Sequence, residues 1–405
     1  MSPRRAGTVA LAATAIVLLA LTLRIAVASL SPLVDVIGRD FPLPAAIVGL
    51  IGMAPPVAFA LSGMVTPALE RRFGLERLVL LAAVGAALML GLRALAVDAW
   101  TLLAATAGVF AAVGVANVLL PAVVKKCFPT RIGAMTTVYS TTMAVATFVP
   151  ALVAVPMASA IGWHASFGVW AAVAVVAVVP WIGMSLRARA SRADAVDEPR
   201  TSVLAKVVRV PQAWALVVSF AVNSSVAYTG FAWLPSILID VARVDAAQAG
   251  GLLALFSATA LPVSLVVPVL VVRMPRIGVF YTVAAAAGLV GIGGLLFAPA
   301  AAPALWVVLL GLTPLLFPLM LVLFGLRTRA HETAVALSGF VQSAGYGLAA
   351  LLPLTIGVTH ELTGGWTVGL VILGVVVACA IPAGAVVARN ETIEDAWERR
   401  HGTAW

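Results

Sequence analysis

Arg24 stands inside an apolar run extending from about residue 9 to 33, and it is the one charge that falls deep within such a run. A guanidinium at bilayer depth costs at least ~2.5 kcal/mol on insertion scales, so it must face a wet cavity or a partner. It lies roughly ten residues, or about 15 Å, from the outer end of its run, beyond the reach of side-chain snorkelling. None of the sixteen acidic residues lies at similar depth: Asp35 and Asp240 are near outer ends and Glu70 is at an inner end. Arg24 is therefore either an electrostatic hook for an anionic or electron-rich substrate or a structural arginine held by backbone carbonyls. The lack of a deep carboxylate favours the hook.

Neutral polar side chains supply the rest of a candidate site. Asn117, Asn223, Ser224, Tyr228, Thr313, Gln342 and Tyr346 all fall within apolar runs. Asn223 and Tyr228 are five apart, and Gln342 and Tyr346 four apart, so each pair shares roughly one helix face. An amide beside a phenol offers donors and acceptors to a small planar polar molecule. The structural alternative for each is an interhelical hydrogen bond worth about 0.6 kcal/mol. The expected substrate-binding set is Arg24, Asn117, Asn223, Tyr228, Gln342 and Tyr346. Tyr139 and Ser140 suit gating or packing, and Trp163, Trp233 and Trp366 suit interfacial anchoring.

The elements that must position these residues follow from composition. Of 405 residues, 62% are apolar and 10% charged, against about 45–50% and about 25% in a soluble domain. A spanning helix uses about 20 residues, so the apolar content supplies roughly twelve. That excludes a soluble enzyme, a disordered chain and a disulfide scaffold, and the unbroken apolar runs disfavour an outer-membrane barrel. Runs fall near 9–33, 45–69, 77–97, 100–124, 133–156 and 165–186, then near 213–239, 246–272, 277–297, 304–326, 334–358 and 366–388. Residues 1–28 resemble a signal peptide, but Arg24 and the runs that follow favour an uncleaved first span. Prolines 55, 56, 121, 150, 262, 268, 314 and 318 lie inside runs, where neighbouring helices can re-satisfy freed carbonyls.

A polar stretch, 187–212, divides the runs six and six and reads as a flexible linker. The expected organisation is an N-terminal bundle (1–188), a cytoplasmic linker (189–211), a C-terminal bundle (212–390) and a cytoplasmic tail (391–405). With the N-terminus inside, 21 of the 25 basic residues are cytoplasmic; Arg39, Arg93 and Arg243 fall outside and Arg24 lies within a span. That asymmetry is the positive-inside rule, and it also accounts for the net charge of +9 without nucleic acid. The halves repeat at an offset of 201–203: Pro67-Ala68-Leu69 over Pro268-Val269-Leu270, and MTTVYSTTM (135–143) over LSGFVQSAG (337–345). Paired six-helix repeats with a substrate site at their interface are one architecture of secondary transporters. Cys127 and Cys379 read as free thiols, all four histidines fall in loops or the tail, and no cofactor or metal set is indicated. A membrane enzyme would need deep nucleophiles, carboxylates or metal ligands, which this census lacks.

Several blocks carry a resemblance. GMVTPALERRFGLER (63–77) resembles, in degenerate form, the loop signature of the major facilitator superfamily. LRIAVASLSPL (23–33), GVANVLLPAVVKKCFP (114–129), RIGAMTTVYS (131–140), AWLPSIL (232–238), ALSGFVQSAGYGLAALLP (336–353) and LTGGWT (362–367) resemble the cyanate/2-nitroimidazole transporter family within it. The resemblance implies twelve transmembrane helices in two pseudo-symmetric six-helix bundles, an all-α polytopic fold moving a small molecule by alternating access. It places Arg24, Asn117, Tyr228 and Gln342 at family-typical positions, and Glu70, Arg71, Arg72 and Arg131 in the conformational loops. The chain departs from the family at Thr22, Asn223-Ser224 and GLTPLLFPL (311–319), and AVATFVPALVAVP (144–156) lacks the glycine-rich motif of drug/proton antiporters. The expectation is a monomeric transporter in a bacterial cytoplasmic membrane, both termini inside, for a small polar or anionic organic substrate. Protons are the candidate coupling ion, and multidrug-type efflux of hydrophobic compounds is the alternative.

Overall fold

The computed structural model describes residues 3–192, 203–274 and 276–405, and every regular element among them is helical. A chain this apolar cannot leave backbone groups to lipid, and helices satisfy them within each segment. The six runs of the first half become Pro3–Ala28, Ala45–Phe73, Leu75–Ala94, Ala99–Cys127, Ile132–Ile161 and Trp163–Arg192. The second half supplies Pro211–Ala242, the pair Ala246–Ala258 and Ala260–Arg273, Gly278–Phe297, the pair Pro303–Leu312 and Leu316–Leu326, His331–Thr363, and the pair Thr367–Ala378 and Ala380–Val387. Eleven stretches among the described residues are long and apolar enough to cross a bilayer, and the 29-residue helix Ala45–Phe73 occupies the remaining run. The fold is an all-α, polytopic membrane architecture of twelve spans.

Prolines decide where spans break. A proline clashes with the carbonyl four residues earlier and lacks an N–H to bond it. Pro262 lies four residues after Ala258 and Pro382 four after Ala378, and the eighth and twelfth spans are interrupted at those residues. At the first break, Thr259 Oγ1 lies 2.6 Å from Phe256 O and 2.7 Å from Gly311 O, within reach of carbonyls on the eighth and tenth spans. The tenth span tightens into a 3-10 turn, Thr313–Leu315, around Pro314. Pro55, Pro56 and Pro121, by contrast, lie in continuous helices.

Contacts gather the chain into two units: Met1–Ala205 with Ala330–Ser343, and Lys206–Arg329 with Ala344–Trp405. The first is tied at one end by a cluster including Leu30, Leu33, Ile37, Leu102, Trp163 and Phe167. Two of its inter-helix joints are one residue long. Gly74 (φ 80°) joins Phe73 to Leu75, and Gly162 (φ 82°) joins Ile161 to Trp163, a left-handed conformation that costs a side-chain-bearing residue energy. Outward faces carry large apolar side chains, such as Leu88, Leu152, Leu186 and Val179, as a lipid-facing surface should.

Residues 193–202 of the linker lie outside the described residues. The tail is ordered, which the sequence reading did not anticipate. Ile393–His401 is a helix opened by a Thr392–Asp395 capping box. Arg329 bonds Glu398 at 2.9 and 3.0 Å and also Asp395, while Glu394 accepts from the Arg329 backbone N–H at 2.9 Å. Arg327 donates to Asn390 (2.7 Å) and the Val387 carbonyl (3.2 Å), and its burial lowers its pKa. Lys206 lies over the rings of Trp397 and Trp405, at 5.6 and 5.4 Å.

Candidate substrate site

Arg24 is half-buried on the first helix. That helix stops at Ala28, followed by a 3-10 turn at Ser31–Leu33 and a short helix at Val34–Ile37. Arg24 therefore lies four residues, about 6 Å, from the end of its helix, not the roughly ten expected from an unbroken run to residue 33. Thr22, one of the departures from the family pattern, directs its hydroxyl hydrogen to the Leu18 carbonyl at 3.0 Å.

The structure brings two of the predicted residues into direct contact. Asn117 Nδ2 donates to Gln342 Oε1 at 2.5 Å, and Gln342 Nε2 donates to Ser338 Oγ at 2.7 Å. Asn117 is 4%, Gln342 1% and Ser338 0% exposed, so this is a buried amide relay. Each amide fixes the other's orientation by using the donor of one against the acceptor of the next. The approach that permits it is close. A Cβ on Gly63 would stand 2.6 Å from the Gly339 carbonyl, and one on Gly339 would stand 2.7 Å from the Gly63 carbonyl. Ser338, missed in the sequence reading, is four residues before Gln342 and could have been found from that spacing.

A second cluster forms on the seventh span and the later part of the eleventh. The ring of Tyr346 packs edge-on to Phe220 at 4.8 Å and lies 6.2 Å from the ring of Tyr228. Gly345 allows this, since a Cβ there would meet Phe220 at 2.7 Å. Asn223, 5% exposed, makes a long contact to Ser224 Oγ at 3.4 Å, and its Oδ1 has no partner. A buried carbonyl oxygen without a donor is costly. Thr313 is spent on the Ala284 carbonyl at 3.3 Å.

At the predicted conformational loop, Glu70 is buried while Arg71, Arg72 and Arg131 are exposed. Arg72 lies over the Phe73 ring, and Arg131 is the N-cap of the fifth span. Lys126 pairs with Glu76 at 2.6 Å across the third and fourth spans. The tryptophans expected as anchors make specific bonds instead of merely resting at an interface. Trp163 Nε1 donates to Asp40 (2.5 Å), Trp366 Nε1 to Asp240 (2.7 Å), and Trp233 Nε1 to the Pro353 carbonyl (2.8 Å).

One charge was misplaced by the sequence reading. Arg93, counted there as an outer loop residue, lies in the last turn of the third span and is 0% exposed. Arg93 is thus a charge buried by packing near the end of its span, not one deeper along its helix than Arg24.

The sequence model of the Major Facilitator Superfamily matches residues 14–350. The chain belongs to the major facilitator superfamily. The 2-nitroimidazole transporter of Escherichia coli (strain K12) is 33% identical over 372 residues, spanning 90% of this chain and 92% of that protein. The cyanate transport protein CynX of the same strain is 30% identical over 205 residues, about half of each chain. This facilitator therefore falls in the cyanate/nitroimidazole-like group, and it is a membrane transporter. Among solved structures, the proton:xylose symporter XylE bound to 6-bromo-6-deoxy-D-glucose superposes with a TM-score of 0.76, over 97% of this chain and 100% of that one, at 13% identity. That likeness concerns the fold alone.

Proposed function

We propose that this chain is a secondary transporter or uniporter for a small, planar, polar or anionic organic molecule, carried across the cytoplasmic membrane by alternating access, with both termini inside. The observation that carries the reading is the buried Asn223 Oδ1, left without a donor in an otherwise apolar helix, because a buried acceptor without a partner calls for a ligand donor or water. The Asn117–Gln342–Ser338 relay adds further polar groups within the spans. Arg24 supplies the positive charge, Asn223 an open acceptor, and Tyr228 and Tyr346 flat aromatic surface. A nitro-substituted azole, as in the name of the Escherichia coli relative, matches that chemistry: ring faces for the tyrosines, ring nitrogens for the amides, and electron-rich oxygens for the guanidinium. Cyanate and small carboxylates share the anionic end of the same description. A proton would travel with the substrate, and the protein works as a monomer.

Uptake of labelled 2-nitroimidazole, cyanate and small carboxylates into proteoliposomes tests this, with and without a pH gradient. Wild type should transport at least one of them, while Arg24→Ala and Arg24→Lys should fold in the membrane and transport less than a tenth as fast. Full activity of Arg24→Ala would remove the hook. Counter-directional proton flux driven by hydrophobic compounds, with none of the three transported, would replace the reading with drug efflux.

A further inference from the structure

Arg93 raises a question that the transport site does not answer. Its side chain is completely buried, yet only one of its bonds is satisfied: Nη1 donates to the Ala26 carbonyl at 2.9 Å. Nε and Nη2 have no partner. The Ala26 carbonyl belongs to the last turn of the first helix, so the cation meets the negative end of that helix dipole, worth about half a charge. Among the described residues no carboxylate pairs with Arg93, and Asp40, at the same end of this unit, is taken by Trp163. The aromatic faces of Phe110 and Phe167 stand 5.6 and 5.8 Å from the guanidinium carbon.

Further polar groups near this height are buried and unpartnered: Trp170 Nε1, Ser29 Oγ and Ser166 Oγ on the first and sixth spans, and Thr106 Oγ1, one turn from Phe110, on the fourth. Their height follows from helix register. Trp181 Nε1 bonds the Ala15 carbonyl at 3.1 Å, which pins the sixth span against the first. The two run antiparallel, since Arg93 also touches both Ala26 and Phe167. Eleven residues from Trp181 is Trp170 and eleven from Ala15 is Ala26, so Trp170 stands level with the carbonyl that Arg93 caps. Ser29 and Ser166 follow about one turn further out on their respective helices.

Arg and Trp nitrogens are donors only. Arg93 Nε, Arg93 Nη2 and Trp170 Nε1 are donor-only nitrogens that cannot satisfy one another, neither serine hydroxyl accepts from them, and leaving them empty in an apolar interior would be costly. The missing party is an acceptor, and a charge offset only by a helix end and two ring faces favours an anion over water. Complete burial and the two aromatic faces restrict it to a small one. We propose that Arg93 and Trp170, with the hydroxyls of Ser29 and Ser166, hold a small inorganic monovalent anion of the halide class as a structural ligand of the first unit. The site is independent of the transported substrate.

Full-length protein in lipid nanodiscs, exchanged into sodium gluconate, provides the test. Chloride or bromide replaces gluconate at constant ionic strength while the thermal unfolding midpoint is followed. Wild type should show a saturable rise. Trp170→Phe should raise the half-saturating concentration about tenfold, and Arg93→Met should abolish the response. Should Arg93→Met not accumulate, Trp170→Phe and Ser166→Ala decide, together with an anomalous-scattering peak beside Arg93 in bromide-soaked wild-type crystals. Equal midpoints in gluconate and chloride, the same halide response in wild type and Trp170→Phe, or bromide-soaked crystals without that peak would each overturn the site.

Discussion

The indole N–H of Trp366 donates to Asp240 at 2.7 Å, and Trp163, 203 residues earlier, donates in the same way to Asp40 at 2.5 Å. Each indole also carries a stacked imidazole, His360 at 3.8 Å and His164 at 3.5 Å. Each unit thus closes one end with the same indole–carboxylate latch. The tryptophans are 203 and the aspartates 200 residues apart, close to the 201–203 offset of the sequence repeat, so the duplication extends to this bond, whereas the two imidazoles, 196 apart, come from non-equivalent positions.

Hydrogen bonds to a charged acceptor contribute about 1.5–3 kcal/mol, less where solvent competes, and both aspartates are exposed. Trp163→Phe and Trp366→Phe should each lower stability by about 1–2 kcal/mol, and by similar amounts. Thermal unfolding in detergent measures this. A loss confined to one of the two would show that the latches are not equivalent.

The amide relay predicts strong coupling between its members. Asn117→Leu leaves Gln342 Oε1 buried without its donor, a cost of about 1–3 kcal/mol. Gln342→Leu strands Asn117 likewise. The double variant removes both problems, so its loss of uptake and of stability should be clearly smaller than the sum of the single losses. Uptake assays and unfolding midpoints of the four proteins complete the cycle; additive losses would mean the two amides act separately.

Gly63 and Gly339 meet backbone to backbone. Gly339→Ala drives a methyl group to 2.7 Å from the Gly63 carbonyl, which demands helix movement and should cost about 1–3 kcal/mol as overpacking. Gly347→Ala, with open space around the added Cβ, is the control and should be tolerated. Comparing midpoints of the two variants tests the contact.

The tail clasp carries a pH signature. Bonds from Thr392, then from Arg329, hold the Asp395 carboxyl at a pKa of about 2, and Arg329 also lowers Glu398. Depressed carboxylate pKa values stabilise the folded form above the unfolded values, near about 4, and that contribution is lost as pH falls towards 2. Tail docking should therefore be constant from neutral pH down to about 5 and weaken below about 4. Arg329→Gln should shift the release to higher pH while leaving the Thr392 share intact. Hydrogen exchange across 393–401 reads this directly, and an unchanged release pH in Arg329→Gln would discount the arginine's part.

The helical spans were legible from the chain alone, because spanning length is imposed by the bilayer rather than by packing detail. The breaks at Ala258 and Ala378 are equally local, set by Pro262 and Pro382. Arg93 was not legible. A basic residue near the end of an apolar run reads as a loop charge, and only the carbonyl of Ala26, 67 residues away in sequence, reveals it as buried. The tail helix is short, polar and outside any run, so nothing in hydropathy signals it. Of the candidate site, the residue types were readable, but the Asn117–Gln342 bond joins positions 225 apart and depends on the glycine contact beside it.

The one-residue joints at Gly74 and Gly162 have a mechanical corollary. Two spans linked by a single residue share their ends with no slack, so the second and third, and likewise the fifth and sixth, must move together where they are joined. The eighth, tenth and twelfth spans, each divided by a proline-induced break, have the opposite property. They can flex mid-length while their ends stay put. Shape change within the second unit should therefore concentrate at Thr259, Thr313–Leu315 and Cys379, leaving the first unit to turn as a solid body.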